Sequence, residues 1–190
     1  ETVNRAVPVW NGLGPWRAAV VQFSYHEEAG GNKHTHLAYL AEGPHDPQAE
    51  LSERMLEATK GVEKILMYTP YEHTQIKQLA ERVPSMANDL EALAAKLVDM
   101  APLLREHVYH PGFNGSFSIK DVLNPLVPDL SYNDLAIVDG MVASVEIARL
   151  LFVAHKVKDR DQLRNDLLDY CERDTWAMVR LLGRLRELAA

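Results

Sequence analysis

Ala18-Ala19-Val20-Val21-Gln22-Phe23-Ser24-Tyr25 is the stretch that decides the fold class. It is dense in β-branched and aromatic residues, and the turn formers Gly30-Gly31-Asn32 separate it from a second such run, His36-Leu37-Ala38-Tyr39-Leu40-Ala41. Two runs of this kind across a glycine-rich turn predict an antiparallel hairpin. Before them, Pro8, Gly12, Gly14 and Pro15 mark an opening loop. After them, Asp46-Pro47 supplies a helix start, Leu51, Met55, Leu56 and Thr59 keep a helical spacing, and Gly61 ends it. Residues 62–68 form a short apolar run of strand length, closed by Thr69-Pro70. Helical periodicity then predicts helices over 73–82 and 85–107, the second with Leu90, Leu93, Ala94, Leu97 and Met100 on one face. Residues 108–132 read as a loop with one or two helical turns near Ser118, residues 135–138 as strand-like, and 140–155 and 160–188 as helices. The order β-β-α-β-α-α-α-α predicts an α/β or α+β layer architecture in one domain spanning 1–190.

Composition narrows the function classes. With 190 residues, 47% apolar and 25% charged, the chain is too apolar for disorder and long enough to bury a core without staples. Its one cysteine, Cys171, excludes an intrachain disulfide and a cysteine-built zinc site, and points to a cytoplasmic setting. A net charge of −7 leaves no general basic surface, so a nucleic-acid partner has to be held by a local patch or through bound cations. No apolar run approaches the ~18 residues that span a bilayer.

Three acidic positions carry the chemistry. Tyr170 and Asp174 are four apart on a helix, so both lie on one face, which also carries Leu163, Leu167, Met178 and Leu181. An aspartate there requires a cation or hydrogen-bond donors; loop donors alone would also satisfy it. Glu72 follows the apolar strand at a helix start, where it either joins a metal site at the carboxyl end of the sheet or simply favours the helix dipole. Glu1 precedes the opening loop and reads either as a ligand or as a frayed terminal residue. His34 and His36 share one face of a strand, a metal-ligand spacing with no third ligand nearby in sequence, and so read as a solvated edge. Asp139 is a reserve carboxylate or a helix cap, and Cys171 a packed small side chain. Trp10 and Trp16 either stack on a base or pack over the sheet, and Lys120, in the 108–132 loop, is a candidate phosphate contact.

Taken in order, these segments resemble the tyrosine-bearing (DEDDy) branch of the DEDD 3′–5′ exonucleases, in the ribonuclease H-like superfamily. Nearly the whole chain is also similar to a bacterial family described only as a domain of unknown function. The residues that carry the likeness are Glu1-Thr2, Gln22-Phe23-Ser24-Tyr25-His26, Gly115-Ser116-Phe117-Ser118-Ile119-Lys120 and Tyr170-Cys171-Glu172-Arg173-Asp174-Thr175. The resemblance implies a ribonuclease H-like mixed sheet flanked by helices, and a two-metal phosphodiesterase whose carboxylates hold two Mg²⁺ or Mn²⁺ ions. Glu1, Glu72 and Asp174 would be the metal ligands, Tyr170 would position the attacking water, and Lys120, Ser118 and Trp16 would face single-stranded DNA or RNA. The first-motif aspartate would stand two residues before Glu1, on a first strand outside this sequence, within a longer protein with a fused upstream domain. The second motif, Asn-x-x-aromatic-Asp in those enzymes, is replaced here by Thr69-Pro70-Tyr71 ahead of Glu72. These departures keep open a catalytically degenerate binding or scaffold module.

Overall fold

The structure is a computed structural model describing residues 1–30 and 33–190. Six short strands and seven α-helices form among the described residues. Strand β1 (Thr2–Asn4) pairs antiparallel with β2 (Ala18–Val20), and β3 (Gln22–Glu28) pairs antiparallel with β4 (His34–Leu40). The latter pair is the expected hairpin. Gly31 and Asn32 of its expected turn lie outside the described residues; the ladder beside it closes with Ala29 N–H donating to the Lys33 carbonyl at 2.8 Å. Strand β1 lies just before the opening loop marked by Pro8, Gly12, Gly14 and Pro15, and pairs along the edge of β2.

The expected continuous strand through Ala18–Tyr25 is interrupted at Val21. The N–H groups of Val21 (3.0 Å) and Gln22 (3.3 Å) both donate to the Glu1 carbonyl, and the Glu1 α-ammonium donates to the Gln22 carbonyl at 2.6 Å. Two residues facing one is a β-bulge, which shifts every later side chain to the opposite face. Val20 packs among one group of helices, but Val21 enters the other core and Gln22 Nε2 reaches the carbonyl of Leu167 at 2.8 Å on that same side. Ser24 and His26 therefore face the C-terminal helix.

Helices α1 (Gln48–Ala58), α2 (Tyr71–Arg82) and α3 (Ala87–Ala94) build one core, in which Leu51, Leu79 and Leu90 are fully buried. Helices α4 (Ala101–His107), α5 (Ile119–Leu126), α6 (Gly140–Phe152) and α7 (Arg160–Ala189) contribute to the other, around Leu104, Leu123, Ile147 and Leu167. Adjacent strand residues divide between the two, Ile65 toward the first and Leu66 toward the second, so helices cover both faces of the strands. Each fully buried leucine contributes about 1.5–3 kcal/mol.

The fold is mixed α/β, but two expectations are corrected. The strands do not join into one mixed sheet; they form three two-stranded ladders, the third being β5 (Ile65–Met67) parallel to β6 (Leu97–Asp99). The expected helix over 85–107 is accordingly two helices separated by β6. Leu97-Val98 fits a helical stripe as well as a buried strand, and pairing with β5 decides between them. Asp99 fixes the break, its Oδ1 accepting from the N–H of Thr69 (3.0 Å) and of Ala101 (2.9 Å). Residues 135–138, strand-like in sequence, have no partner strand among the described residues and stay irregular.

Candidate functional site

A cavity of about 1010 Å³ opens between β3 and β5, walled by α2 and α7. Neither β3 nor β5 has a second strand partner among the described residues, so the edges facing this cavity are unpaired. Glu1, Glu72 and Asp174 all line it. Three acids separated by up to 173 positions in sequence thus reach one cavity.

Glu72 sits in the first turn of α2, delivered by the connection from β5. In that connection Thr69 holds a left-handed φ of 75°, an outlier for a β-branched residue, and its N–H is tied to Asp99. The strained turn aims the start of α2 back over the cavity, where the Thr2 and Tyr71 hydroxyls meet at 2.8 Å. Glu72 keeps a solvent-facing edge, but loss of water around its carboxyl pushes its pKa up to about 7, with Asp174 and Asp99 adding in the same direction.

Asp174 lies midway along α7. Its carboxyl is raised to about 6, chiefly by burial, while the Tyr132 hydroxyl, donating to Oδ1 at 2.8 Å, and the positive charge of Lys120 work against the rise. Glu1 reaches the start of α6, where Gly140 leaves room: a Cβ there would stand 3.9 Å from both Glu1 carboxylate oxygens and 3.5 Å from the Tyr170 hydroxyl. Tyr170 is buried, and burial followed by the Asp174 charge raises its hydroxyl pKa, so it is held as a neutral donor.

The other expected contacts separate. Lys120 stays beside the site, its Nζ donating to the Val138 carbonyl at 2.6 Å and lying 5.2 and 5.4 Å from the Tyr132 and Tyr170 ring centres. Ser118 is not a wall residue; it caps α5, with Oγ 2.6 Å from the Asp121 carboxylate. Trp16 is 68% exposed at a left-handed φ of 60° and does not line the cavity either. Neither a motif likeness, for Ser118, nor a place in the opening loop, for Trp16, fixes facing or distance. Trp10 takes the packing role, its Nε1 donating to the Pro44 carbonyl and its ring 5.5 Å from Phe152. Asp139 caps α6 through the N–H groups of Met141 and Val142. Cys171 is buried in the cavity wall, its thiol pushed up to about 12 by desolvation. Sequence reasoning missed Asp99 and Tyr132: the first was hidden in a predicted helix, the second in a predicted loop.

A family model described as a domain of unknown function, DUF2779, matches residues 1–118. The chain belongs to this family. No curated protein and no solved structure matches it. The DUF2779 match takes in Glu1, Glu72 and the strained turn at Thr69, and ends before Tyr132, Tyr170 and Asp174. In this DUF2779 chain Glu1, Glu72 and Asp174 line one cavity and two of them have raised pKa values, so the donor type is the carboxylate oxygen that hard divalent cations take, although the three do not form a ready-made ligand cluster; the Lys120 ammonium beside them is bonded to the Val138 carbonyl. No helix is long and apolar enough to cross a membrane among the described residues.

Proposed function

We propose that this chain is a ribonuclease H-like, metal-dependent nuclease domain of the 3′–5′ exonuclease type, acting on single-stranded DNA or RNA in a cytoplasmic setting. The observation that carries the reading is the placement of Glu1, Glu72 and Asp174 on the wall of one cavity between β3 and β5. These carboxylates would hold two Mg²⁺ or Mn²⁺ ions, which supply charge neutralisation at a phosphodiester and activation of water. Tyr170 orients a water through its neutral hydroxyl, and Tyr132 holds the Asp174 carboxylate in place. Lys120 faces substrate phosphate once it releases the Val138 carbonyl.

Antiparallel and parallel ladders with helices packed on both faces support the fold side of the reading.

The test is a chain extended upstream of Glu1, incubated with Mn²⁺ and a 5′-labelled oligonucleotide. Progressive shortening from the 3′ end is expected, abolished by Asp174→Asn with the fold retained. Intact oligonucleotide after long incubation overturns the nuclease reading. The substituted second motif favours a second reading, a degenerate binding or scaffold module; it predicts that Mn²⁺ leaves the melting temperature unchanged, because a bound ligand must raise it.

A further inference from the structure

The β3–β4 register sets His26 directly opposite His36, with the rings stacked 4.5 Å apart. The bulge at Val21 turns both toward α7, which brings Glu172 over them. His26 Nε2 lies 4.0 Å from Glu172 Oε1 and His36 Nδ1 lies 3.6 Å from Oε2, and the three ligand atoms fall within 4.8 Å of one another. The remaining ring nitrogens are held by hydroxyls: His26 Nδ1 meets Thr175 Oγ1 at 2.8 Å, and His36 Nε2 meets Ser24 Oγ at 2.9 Å. Ser24 Oγ and Thr175 Oγ1 also meet at 2.8 Å, and Thr175 donates to the Glu172 carbonyl at 3.1 Å.

Each hydroxyl has one proton, so this chain of contacts assigns the tautomers. Thr175 gives its proton to the Glu172 carbonyl, so it can only accept from Ser24 and from His26 Nδ1–H. Ser24 gives its proton to Thr175, so it accepts from His36 Nε2–H. In the neutral rings the nitrogens left without a proton are His26 Nε2 and His36 Nδ1, the two that face the Glu172 carboxylate. Three electron-pair donors then point at one another with no cationic side chain between them among the described residues. Arg173 does not fill the role, being occupied by Asp134 and the Ser131 carbonyl, and His34 is turned edge-on to Trp176.

We propose that His26, His36 and Glu172 bind one zinc-class divalent ion that clamps the β3–β4 hairpin to α7. Two imidazoles and a carboxylate are a zinc donor set, and tetrahedral zinc with bonds near 2.0–2.2 Å asks for ligand atoms about 3.4 Å apart; His36 Nδ1 lies 3.6 Å from Oε2 and His26 Nε2 4.0 Å from Oε1, so the half-exposed Glu172 side chain has to shift for one oxygen to serve both. The histidines carry the outer hydrogen bonds that orient metal-binding imidazoles. The buried His26 forms the floor, the Glu172 side chain is 47% exposed, and an adjoining cavity of about 720 Å³ admits the ion and a water as fourth ligand. The site borders the carboxylate cavity, whose wall His26, Ser24 and Thr175 share, while His36 and Glu172 face the adjoining one, and its metal does not depend on nuclease activity.

Co²⁺, added to chelator-treated protein, reports the site by its visible absorption. One equivalent should give an intense low-coordinate band that Zn²⁺ displaces. The band should vanish in His36→Ala, persist in Asp174→Asn, and need roughly 10–100-fold more metal in Ser24→Ala, which loses an outer hydrogen bond. His36 is partly exposed, and circular dichroism checks that its variant folds. A folded parent with no such band, or a band that survives both His36→Ala and Glu172→Gln, overturns the proposal; a cluster that merely shares a proton gives the first of these results.

Discussion

Tyr132 donates its hydroxyl proton to the carboxylate of Asp174 at 2.8 Å across 42 residues of sequence. Spacing on a helix pairs Asp174 with Tyr170, but it is a loop tyrosine that satisfies it. Arg173, one residue before Asp174, holds that loop by donating to the Ser131 carbonyl and, through two nitrogens, to Asp134 at 2.8 and 2.9 Å. Position on α7 and loop placement are therefore linked through adjacent residues.

Tyr132→Phe removes a hydrogen bond to a charged group and leaves the ring. A loss of about 1–2 kcal/mol is expected in urea denaturation at pH 8, where Asp174 is ionised. The loss should shrink at pH 4, where the carboxyl is protonated. An equal loss at both values would show that the phenol acts only by packing.

Asp174 has a folded pKa raised to about 6 from a usual value near 3.8. A raised carboxyl favours folding below its unfolded pKa and loses that contribution as pH rises through the folded value, here between about 4 and 6. Asp174→Asn does not titrate, so relative to the parent it should gain about 1–2 kcal/mol on going from pH 4 to pH 8 in metal-free buffer. Melting curves of the pair across that range measure the difference. Mn²⁺ binding to the parent should strengthen over the same window and on to about pH 7, where Glu72 ionises.

His26 titrates the opposite way. Burial, with His36 and His34 adding to it, lowers its pKa from 6.5 to about 4. A depressed value means stability that is present above 6.5 and lost as pH falls toward 4. In metal-free protein the His26 ring resonance should move with a midpoint near 4, and His26→Gln should flatten the acid side of the stability profile.

Thr69 stores strain at its left-handed φ of 75°. Glycine adopts that conformation freely, so Thr69→Gly should stabilise the chain by about 1 kcal/mol, offset in part by greater unfolded-state freedom. If the turn aims Glu72, the same change should weaken Mn²⁺ binding despite the gain in melting temperature.

Leu167 is fully buried in the α7 core, and its carbonyl accepts from Gln22. Leu167→Ala should cost about 2–5 kcal/mol, read from the urea midpoint.

Much of this molecule was legible in its sequence. The hairpin, the helices around Leu51, Ile147 and Leu167, and the inward face of α7 with Tyr170 and Asp174 follow from apolar period and caps, which are local properties. The bulge at Val21, strand β6, and the meeting of His26 with Glu172 do not. Leu97-Val98 suits a strand or a helix, and only the edge of β5 decides. His36 has a helix residue for its third partner because one extra residue in β3 turned the hairpin face toward α7. Residue order set which side chains each element could present; the packing of elements against one another decided which of them met, because distances between remote segments are fixed by the core and not by local propensity.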